Sequence, residues 1–177
     1  MKRSNAGILI VDDDAHILFS LKTLLERHFT RVYTEKSPDR IPSLLNEKEI
    51  DVIVLDMNYA YGETSGKEGL EWIRRIQESE PDLSIVPITA FGGVNMAVEA
   101  LKAGAVDFVV KPWQNEKIVS TLNAAIKYTQ SSRKIAILKE QRALLNHSPG
   151  WPSHSFLGRS SAMKQVFEKI ERVAGTE

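Results

Sequence analysis

The sequence contains no cysteine among its 177 residues, and aromatic side chains make up only 7% of it. Without cysteine, disulfide bonds and thiolate metal sites are excluded, and a cytoplasmic location is favoured. No apolar run approaches the roughly 20 residues that a membrane-spanning helix requires. The basic start, Met1 to Arg3, is followed by too short an apolar run for a secretory signal peptide. We therefore expect no membrane segment and no export signal.

Charge is balanced overall but unevenly distributed. The chain has 23 Lys+Arg and 23 Asp+Glu, whereas the part from Glu116 onward has 10 and 5. The excess of positive charge in this tail is compatible with nucleic-acid contact, but a solvated helix face explains so modest an excess more simply. We expect no direct DNA binding. With 42% hydrophobic residues, the chain is long enough for one well-packed domain and an additional segment.

Two short apolar runs end abruptly in carboxylates. Val52-Ile53-Val54-Leu55 ends at Asp56, and Gly7-Ile8-Leu9-Ile10-Val11 ends at Asp12, Asp13 and Asp14. Runs that are apolar on both faces are typical of central strands in a parallel sheet, and ligands bind outside the carboxyl ends of such strands. If the two strands are neighbours, their crowded carboxylates require a cation.

The remaining periodicity predicts five βα repeats. Strands are predicted at 7–11, 31–34, 52–56, 84–89 and 106–110, and helices at 15–27, 41–45, about 70–76, 96–101 and 115–146. Gly104 is the predicted C-cap of the fourth helix. Five such repeats imply an α/β fold with a parallel sheet and helices on both faces.

The predicted strand ends share one chemistry. They carry Asp12, Asp13, Asp56, Thr89 and Lys111. Two or three carboxylates suit Mg²⁺, a lysine adds positive charge, and a threonine hydroxyl can donate to an anion. A carboxylate beside a metal ion and a lysine can attack phosphorus and form an acyl phosphate. The pattern therefore predicts a phosphoryl-transfer site.

Four motifs in order resemble the receiver domain of two-component response regulators. They are Ile8-Leu9-Ile10-Val11-Asp12-Asp13-Asp14, Val54-Leu55-Asp56, Ile88-Thr89-Ala90 and Asp107-Phe108-Val109-Val110-Lys111-Pro112-Trp113. The resemblance covers about residues 6–127. It implies a flavodoxin-like (βα)5 fold with strand order 2-1-3-4-5, and phosphorylation of Asp56 by a partner histidine kinase.

The same resemblance implies roles for individual residues. Asp13 would bind Mg²⁺ directly, Asp12 through water and Asn58 through its backbone carbonyl, beside Asp56. Thr89 and Phe108 would form the switch pair, with Lys111 beside the phosphoryl group, and the Lys111–Pro112 bond would be cis.

One segment departs from the family pattern. Receivers commonly run from the phosphorylated Asp through a short Met-Pro-Gly turn, whereas Met57–Gly69 is several residues longer and lacks the proline. The loop either shields the site or contacts the kinase, or it is a tolerated surface insertion. Within it, Gly62–Glu68 is similar to a P-loop but is one residue short between the glycines and has glutamate where a hydroxyl is required.

The tail also resembles a known family. Ser155–Ala174 is similar to the opening of the AAA+ ATPase domain of sigma-54-dependent transcription activators. This implies a receiver (6–127), a helical linker (128–150) and a truncated AAA+ stub (151–177), with a homodimer whose interface includes the linker helix. Ile135, Leu138 and Leu145 are spaced for a short coiled coil, but barely two heptads are present.

Two alternatives belong to other functional classes. An aspartyl-nucleophile phosphatase of the haloacid-dehalogenase kind has a second Asp two residues after the nucleophile, where this chain has Asn58, which cannot shuttle a proton. A receiver-like module that only dimerises would not need the Asp, Thr and Lys positions, all of which are present.

Overall fold

The computed structural model describes residues 3–59, 66–89 and 94–146. Its elements follow in the order β1 (Ser4–Val11), α1 (Ala15–Leu25), β2 (Phe29–Glu35), a 3-10 turn (Pro38–Arg40), α2 (Ile41–Glu47), β3 (Val52–Asp56), α3 (Lys67–Ser79), β4 (Ser84–Thr89), α4 (Val94–Lys102), β5 (Val109–Val110) and α5 (Asn115–Asn146). Strands and helices alternate throughout, as the hydrophobic pattern predicts.

The five strands form one parallel sheet in the order β2-β1-β3-β4-β5. In the centre, Leu9 of β1 pairs with Ile53 of β3, which in turn pairs with Ile85 of β4. This is the flavodoxin-like order, so the predicted fold class is confirmed. The carboxyl ends of β1, β3, β4 and β5 consequently meet at one edge of the sheet.

Each face of the sheet carries its own apolar layer. Alternate strand residues point to opposite faces, which is why the central strands are apolar throughout. One layer contains Ile8, Ile10, Val52, Val54, Val86 and Ile88 of the sheet with residues of α1 and α5. The other contains Leu9, Val11, Ile53, Leu55 and Ile85 with residues of α2, α3 and α4. Helices therefore cover both faces of the sheet.

Gly104 ends the fourth helix in the way its position predicts. Its φ is +114°, and its N–H donates to the carbonyl of Leu101 while the N–H of Ala105 donates to that of Ala100. These two bonds form a Schellman motif, which requires a left-handed residue at this position.

The fifth strand is shorter than predicted. Val106 donates its N–H to the carbonyl of Ile85, but the N–H of Phe108 is bound by the side chain of Asp107. Only Val109 and Val110 continue the ladder with β4. A local side-chain bond has replaced a ladder bond.

Helix α5 is tied to the sheet edge opposite the strand carboxyl ends. The Thr129 hydroxyl donates to Ser84 Oγ (2.7 Å) and accepts from the Ser84 N–H (3.0 Å) at the start of β4. Arg133 donates to the carbonyl of Ile50 (2.9 Å) and lies 3.4 Å from Asp51, the residue before β3. These contacts attach one helix to the amino-terminal ends of two central strands.

The compact unit that contains the sheet ends at Ala136, and a second unit starts at Ile137. Of the second unit, the structure describes only the helical stretch to Asn146. The AAA+-like segment, residues 62–65 of the P-loop look-alike and Ala90 lie outside the described residues, and the predicted domain boundaries stay predictions. No helix within the described ranges combines the length and apolarity needed to cross a membrane.

Candidate functional site

The polar residues predicted at the strand ends meet at the carboxyl edge of the sheet. Asp12 follows β1, Asp56 ends β3, Thr89 ends β4 and Lys111 follows β5. Because β1, β3, β4 and β5 are successive neighbours, the sheet order itself brings these residues together. Asp12, Asp56 and Thr89 are all buried.

Lys111 joins the two buried carboxylates. Its Nζ donates to Asp12 Oδ2 at 2.8 Å and to Asp56 Oδ1 at 2.7 Å. Asp12 is 2% exposed and Asp56 6%, whereas the lysine side chain is 20% exposed and reaches the pair from solvent. Charge-assisted bonds of this length hold Asp56 in one orientation.

Burial and charge shift two pKa values in this cluster. Burial raises the pKa of Asp12, although hydrogen bonds from Lys111 and from the Asp14 N–H oppose the increase. Burial alone would lower the pKa of Lys111, but the two bound carboxylates outweigh it and raise that pKa above its usual value. Lys111 is therefore a permanent cation at neutral pH.

The other two aspartates of the Asp12–Asp14 run have different roles. Asp14 accepts the His16 N–H at 2.7 Å and caps α1. Asp13 is exposed, and its charge acts on the Tyr59 phenol together with those of Asp12 and Asp56. In the part of the chain that the structure describes, no three Asp, Glu or His side chains are already arranged as a metal-binding group. Asp12 and Asp56 are bridged by the ammonium group instead.

One predicted switch residue ends β4 and the other directly precedes the neighbouring strand β5. Thr89 is the last residue of β4, and its carbonyl accepts the Lys111 N–H at 2.7 Å. Phe108 is half-buried just before β5. The Lys111–Pro112 bond is cis, as the resemblance implied.

The three residues after Asp56 form a strap beside the site, and here the structure adds residues that were not predicted. The Asn58 N–H donates to Asp56 Oδ2 at 2.9 Å, while its side-chain Oδ1 accepts the Gly66 N–H. Tyr59 donates its N–H to Glu68 Oε2 (3.0 Å) and its hydroxyl to the carbonyl of Val11 (3.2 Å).

Burial of the Tyr59 ring, reinforced by the neighbouring Asp56, Asp12 and Asp13, raises the phenol pKa far above its usual value. The hydroxyl therefore stays protonated at neutral pH and can donate to the carbonyl of Val11. The sequence signal for this role is the tyrosine itself, an aromatic residue three positions after Asp56.

The response regulator receiver domain family matches residues 8–123 of this sequence. The match covers most of the chain, and the chain belongs to this family.

Individual relatives agree with this assignment. The transcriptional regulatory protein ZraR of Salmonella typhimurium is 30% identical over 177 residues, which is all of this chain and 37% of that protein. The N-terminal signal receiver domain of a response regulator from Bacteroides fragilis is 40% identical over 70% of this chain and 98% of its own, with a TM-score of 0.62. The beryllofluoride-activated NtrC4 receiver domain dimer is 32% identical, covers 69% of this chain and 97% of its own, and has a TM-score of 0.61.

These comparisons confirm the predicted resemblance to receivers of nitrogen-regulatory-type transcriptional regulators. The chain spans little more than a third of the length of the curated relatives it matches.

Proposed function

We propose that this chain is a phosphoacceptor switch in which Asp56 accepts a phosphoryl group from a histidine kinase. The observation that carries the proposal is the pair of ionic hydrogen bonds that Lys111 donates to Asp12 and Asp56 at the sheet edge. This arrangement orients a buried carboxylate and keeps one cation beside it.

The transfer is a displacement at phosphorus. An Asp56 carboxylate oxygen attacks the phosphorus of a phosphohistidine, the new P–O bond forms as the P–N bond breaks, and the electron pair leaves with the imidazole. Asp56 starts from a fixed orientation because Lys111 binds one of its oxygens and the Asn58 N–H binds the other. As in other phosphoryl transfers, the protein contributes positioning and charge neutralisation.

Oxygen donors beside Asp56 suit Mg²⁺, the cation that we propose as cofactor. Asp13, Asp56 and the backbone carbonyl of Asn58 would hold it directly, and Asp12 through water. All are hard oxygen ligands of the kind that Mg²⁺ prefers, and Asp13 is open to solvent. When bound, the ion would offset the negative charge that the carboxylates and the phosphoryl oxygens bring together.

The switch that we propose links the phosphoryl group to the face formed by α4, β5 and α5. The hydroxyl of Thr89 would donate to a phosphoryl oxygen, and Phe108 would repack inward. This face exposes large side chains that are mainly apolar, namely those of Val98, Leu101, Val110 and Tyr128. Their exposure supports a contact with a second copy, biased by phosphorylation.

The parent protein that we propose is a cytoplasmic sigma-54-dependent activator, in which α5 and the linker control an AAA+ ATPase. The match of the whole chain to 37% of ZraR and the printed description of the NtrC4 receiver as a dimer support this assignment. Sedimentation with and without a phosphoryl mimic tests the proposed dimer. We expect a dimer whose formation depends on the helix beyond Lys127. A monomer under both conditions contradicts it.

Turnover catalysis is disfavoured by the position of Asn58. Its side-chain oxygen is engaged by the Gly66 N–H, and an amide cannot transfer a proton in any case. We therefore propose self-phosphorylation on Asp56 and not a phosphatase.

Intact-mass measurement with acetyl phosphate and Mg²⁺ tests the phosphoacceptor role. The unmodified chain is expected to gain one phosphoryl adduct, and Asp56→Asn none. Asp39→Asn is a matched control, because Asp39 is an exposed carboxylate on the 3-10 turn. It is expected to behave as wild type. An adduct on Asp56→Asn, or none on the wild-type chain, would overturn the proposal.

A further inference from the structure

The strap Met57–Tyr59 is held by hydrogen bonds on both of its flanks. On one side, Gly69 donates its N–H to the carbonyl of Met57, and Glu68 accepts the N–H of Tyr59. On the other side, the Tyr59 hydroxyl donates to the carbonyl of Val11. The strap is thus fixed both to the first turn of α3 and to the end of β1.

The position of Asn58 gives these bonds a consequence for the acidic site. Its backbone carbonyl lies between the two fixed residues, and Val11 directly precedes Asp12 and Asp13. The Tyr59 hydroxyl therefore connects the two chain segments that carry the oxygen ligands assigned to the cation. Metal ligands depend on such outer contacts for their orientation, and losing one typically weakens metal binding.

We propose that Tyr59 and Glu68 are positioning residues that hold the Asn58 carbonyl at the distance from the Asp12–Asp13 pair that Mg²⁺ requires. The inference rests on the proposed function and deepens it by extending the site to two residues that do not touch the ion. It also gives a role to the segment after Asp56, where the chain departs from the usual receiver sequence.

Two comparisons between variants distinguish a positioning role of Tyr59 and Glu68 from a role in packing alone. Tyr59 and Tyr33 are both partly buried against the same apolar layer, so removing either hydroxyl leaves a phenylalanine ring in that layer. Only the Tyr59 hydroxyl reaches the end of β1 beside the aspartates. Glu68→Gln keeps an acceptor oxygen for the Tyr59 N–H, whereas Glu68→Ala removes it.

The experiment is calorimetric titration of the metal-free full chain with MgCl2, with thermal unfolding in EDTA measured in parallel. Loss of one neutral hydrogen bond corresponds to about a 3- to 10-fold change in equilibrium constant. We expect Tyr59→Phe to raise the Mg²⁺ Kd by this factor. Glu68→Ala removes a bond to a carboxylate and should raise the Kd by at least this factor, and Glu68→Gln should recover part of the affinity. Tyr33→Phe should bind Mg²⁺ as wild type does, and Tyr59→Phe should unfold within a few degrees of Tyr33→Phe.

A wild-type Kd for Tyr59→Phe, or equal weakening by Tyr33→Phe, overturns the positioning role while leaving the phosphoacceptor proposal intact. If the wild-type chain itself binds no Mg²⁺ and takes up no phosphoryl group, the proposed phosphoacceptor function fails as well. Acetyl phosphate labelling of the same samples distinguishes these outcomes.

Discussion

Replacing Lys111 by methionine separates the two effects of this lysine, namely support of the fold and competition for the carboxylates. Methionine keeps an unbranched apolar chain and removes only the charge and its donors. Asp12 and Asp56 then remain buried side by side without a shared cation. Two like charges in one buried site repel, and each has lost a charge-assisted hydrogen bond of 2.7–2.8 Å.

The expected loss of stability without divalent cations is about 2–4 kcal/mol. Removing one partner of a fully buried ion pair costs about 3–5 kcal/mol. The estimate here is lower because the lysine side chain is 20% exposed, so water reaches the vacated position.

The same substitution should strengthen Mg²⁺ binding, although it lowers stability. Lys111 and the divalent ion are both attracted to the same carboxylates and repel each other. Charges of +1 and +2 about 4 Å apart repel by about 2 kcal/mol in a water-like dielectric, and salt reduces this. The variant should therefore bind Mg²⁺ about tenfold more tightly, and saturating Mg²⁺ should restore part of its lost stability.

Urea unfolding in EDTA and in MgCl2, together with calorimetric titration, measures both effects. Lys102→Met is the matched control, because Lys102 pairs with Glu99 on the surface and both side chains are mostly or half exposed, at 68% and 48%. The control should lose less than about 1 kcal/mol. The reasoning is refuted if Lys111→Met is as mild as the control in EDTA, or if its Mg²⁺ affinity falls.

Three further predictions address burial, hydrogen bonding and packing. The raised pKa of Asp12 means that the folded chain binds its proton more tightly than the unfolded chain does, so this group lowers stability as pH rises above its usual value of 3.8. Asp12→Asn should be at least as stable as wild type at pH 7 in EDTA, lose that advantage in acid, and bind Mg²⁺ weakly; urea titrations at several pH values check this. Thr129→Val leaves the buried Ser84 N–H without its acceptor and should cost about 1–3 kcal/mol, with Thr129→Ser close to wild type in the same assay. Gly7→Ala would place a Cβ 1.9 Å from the carbonyl oxygen of Glu49, and we expect a loss of about 3 kcal/mol or more, seen as a fall in thermal midpoint.

Much of the fold is readable from local patterns, because the central strands are apolar on both faces and stop at charged residues. The strand ends at Val11, Asp56 and Thr89 agree with prediction, and α5 runs to Asn146 as its helical signals indicate. β5 was predicted too long because the Asp107 side chain binds the N–H of Phe108 and so interrupts a ladder that the valine-rich sequence alone would continue. Such a local competition is not visible in hydrophobic periodicity.

The candidate site likewise contains residues that the sequence predicts and contacts that it does not. Asp12, Asp56, Thr89 and Lys111 were predictable because strand order alone brings strand ends together. The contact of Tyr59 with Val11 was not, since it joins residues 48 positions apart through one hydroxyl. No periodicity or composition encodes such a bond; it follows from the path of the loop after β3.

The attachment of α5 limits the ways in which this helix can move. Thr129 binds the first residue of β4, and Arg133 binds Ile50 and Asp51 directly before β3. The far ends of these strands carry Thr89 and Asp56. A shift of one residue along the helix axis would leave the buried Ser84 N–H without its acceptor, so this anchor resists translation of α5. The buried side chains of Ile118, Leu122 and Ile126 hold the same helix against the sheet. The anchor consists of the hydroxyl pair of Thr129 and Ser84 and the guanidinium group of Arg133. A displacement of α5 at this point therefore requires either a matching displacement of the amino-terminal ends of β3 and β4 or the loss of these bonds.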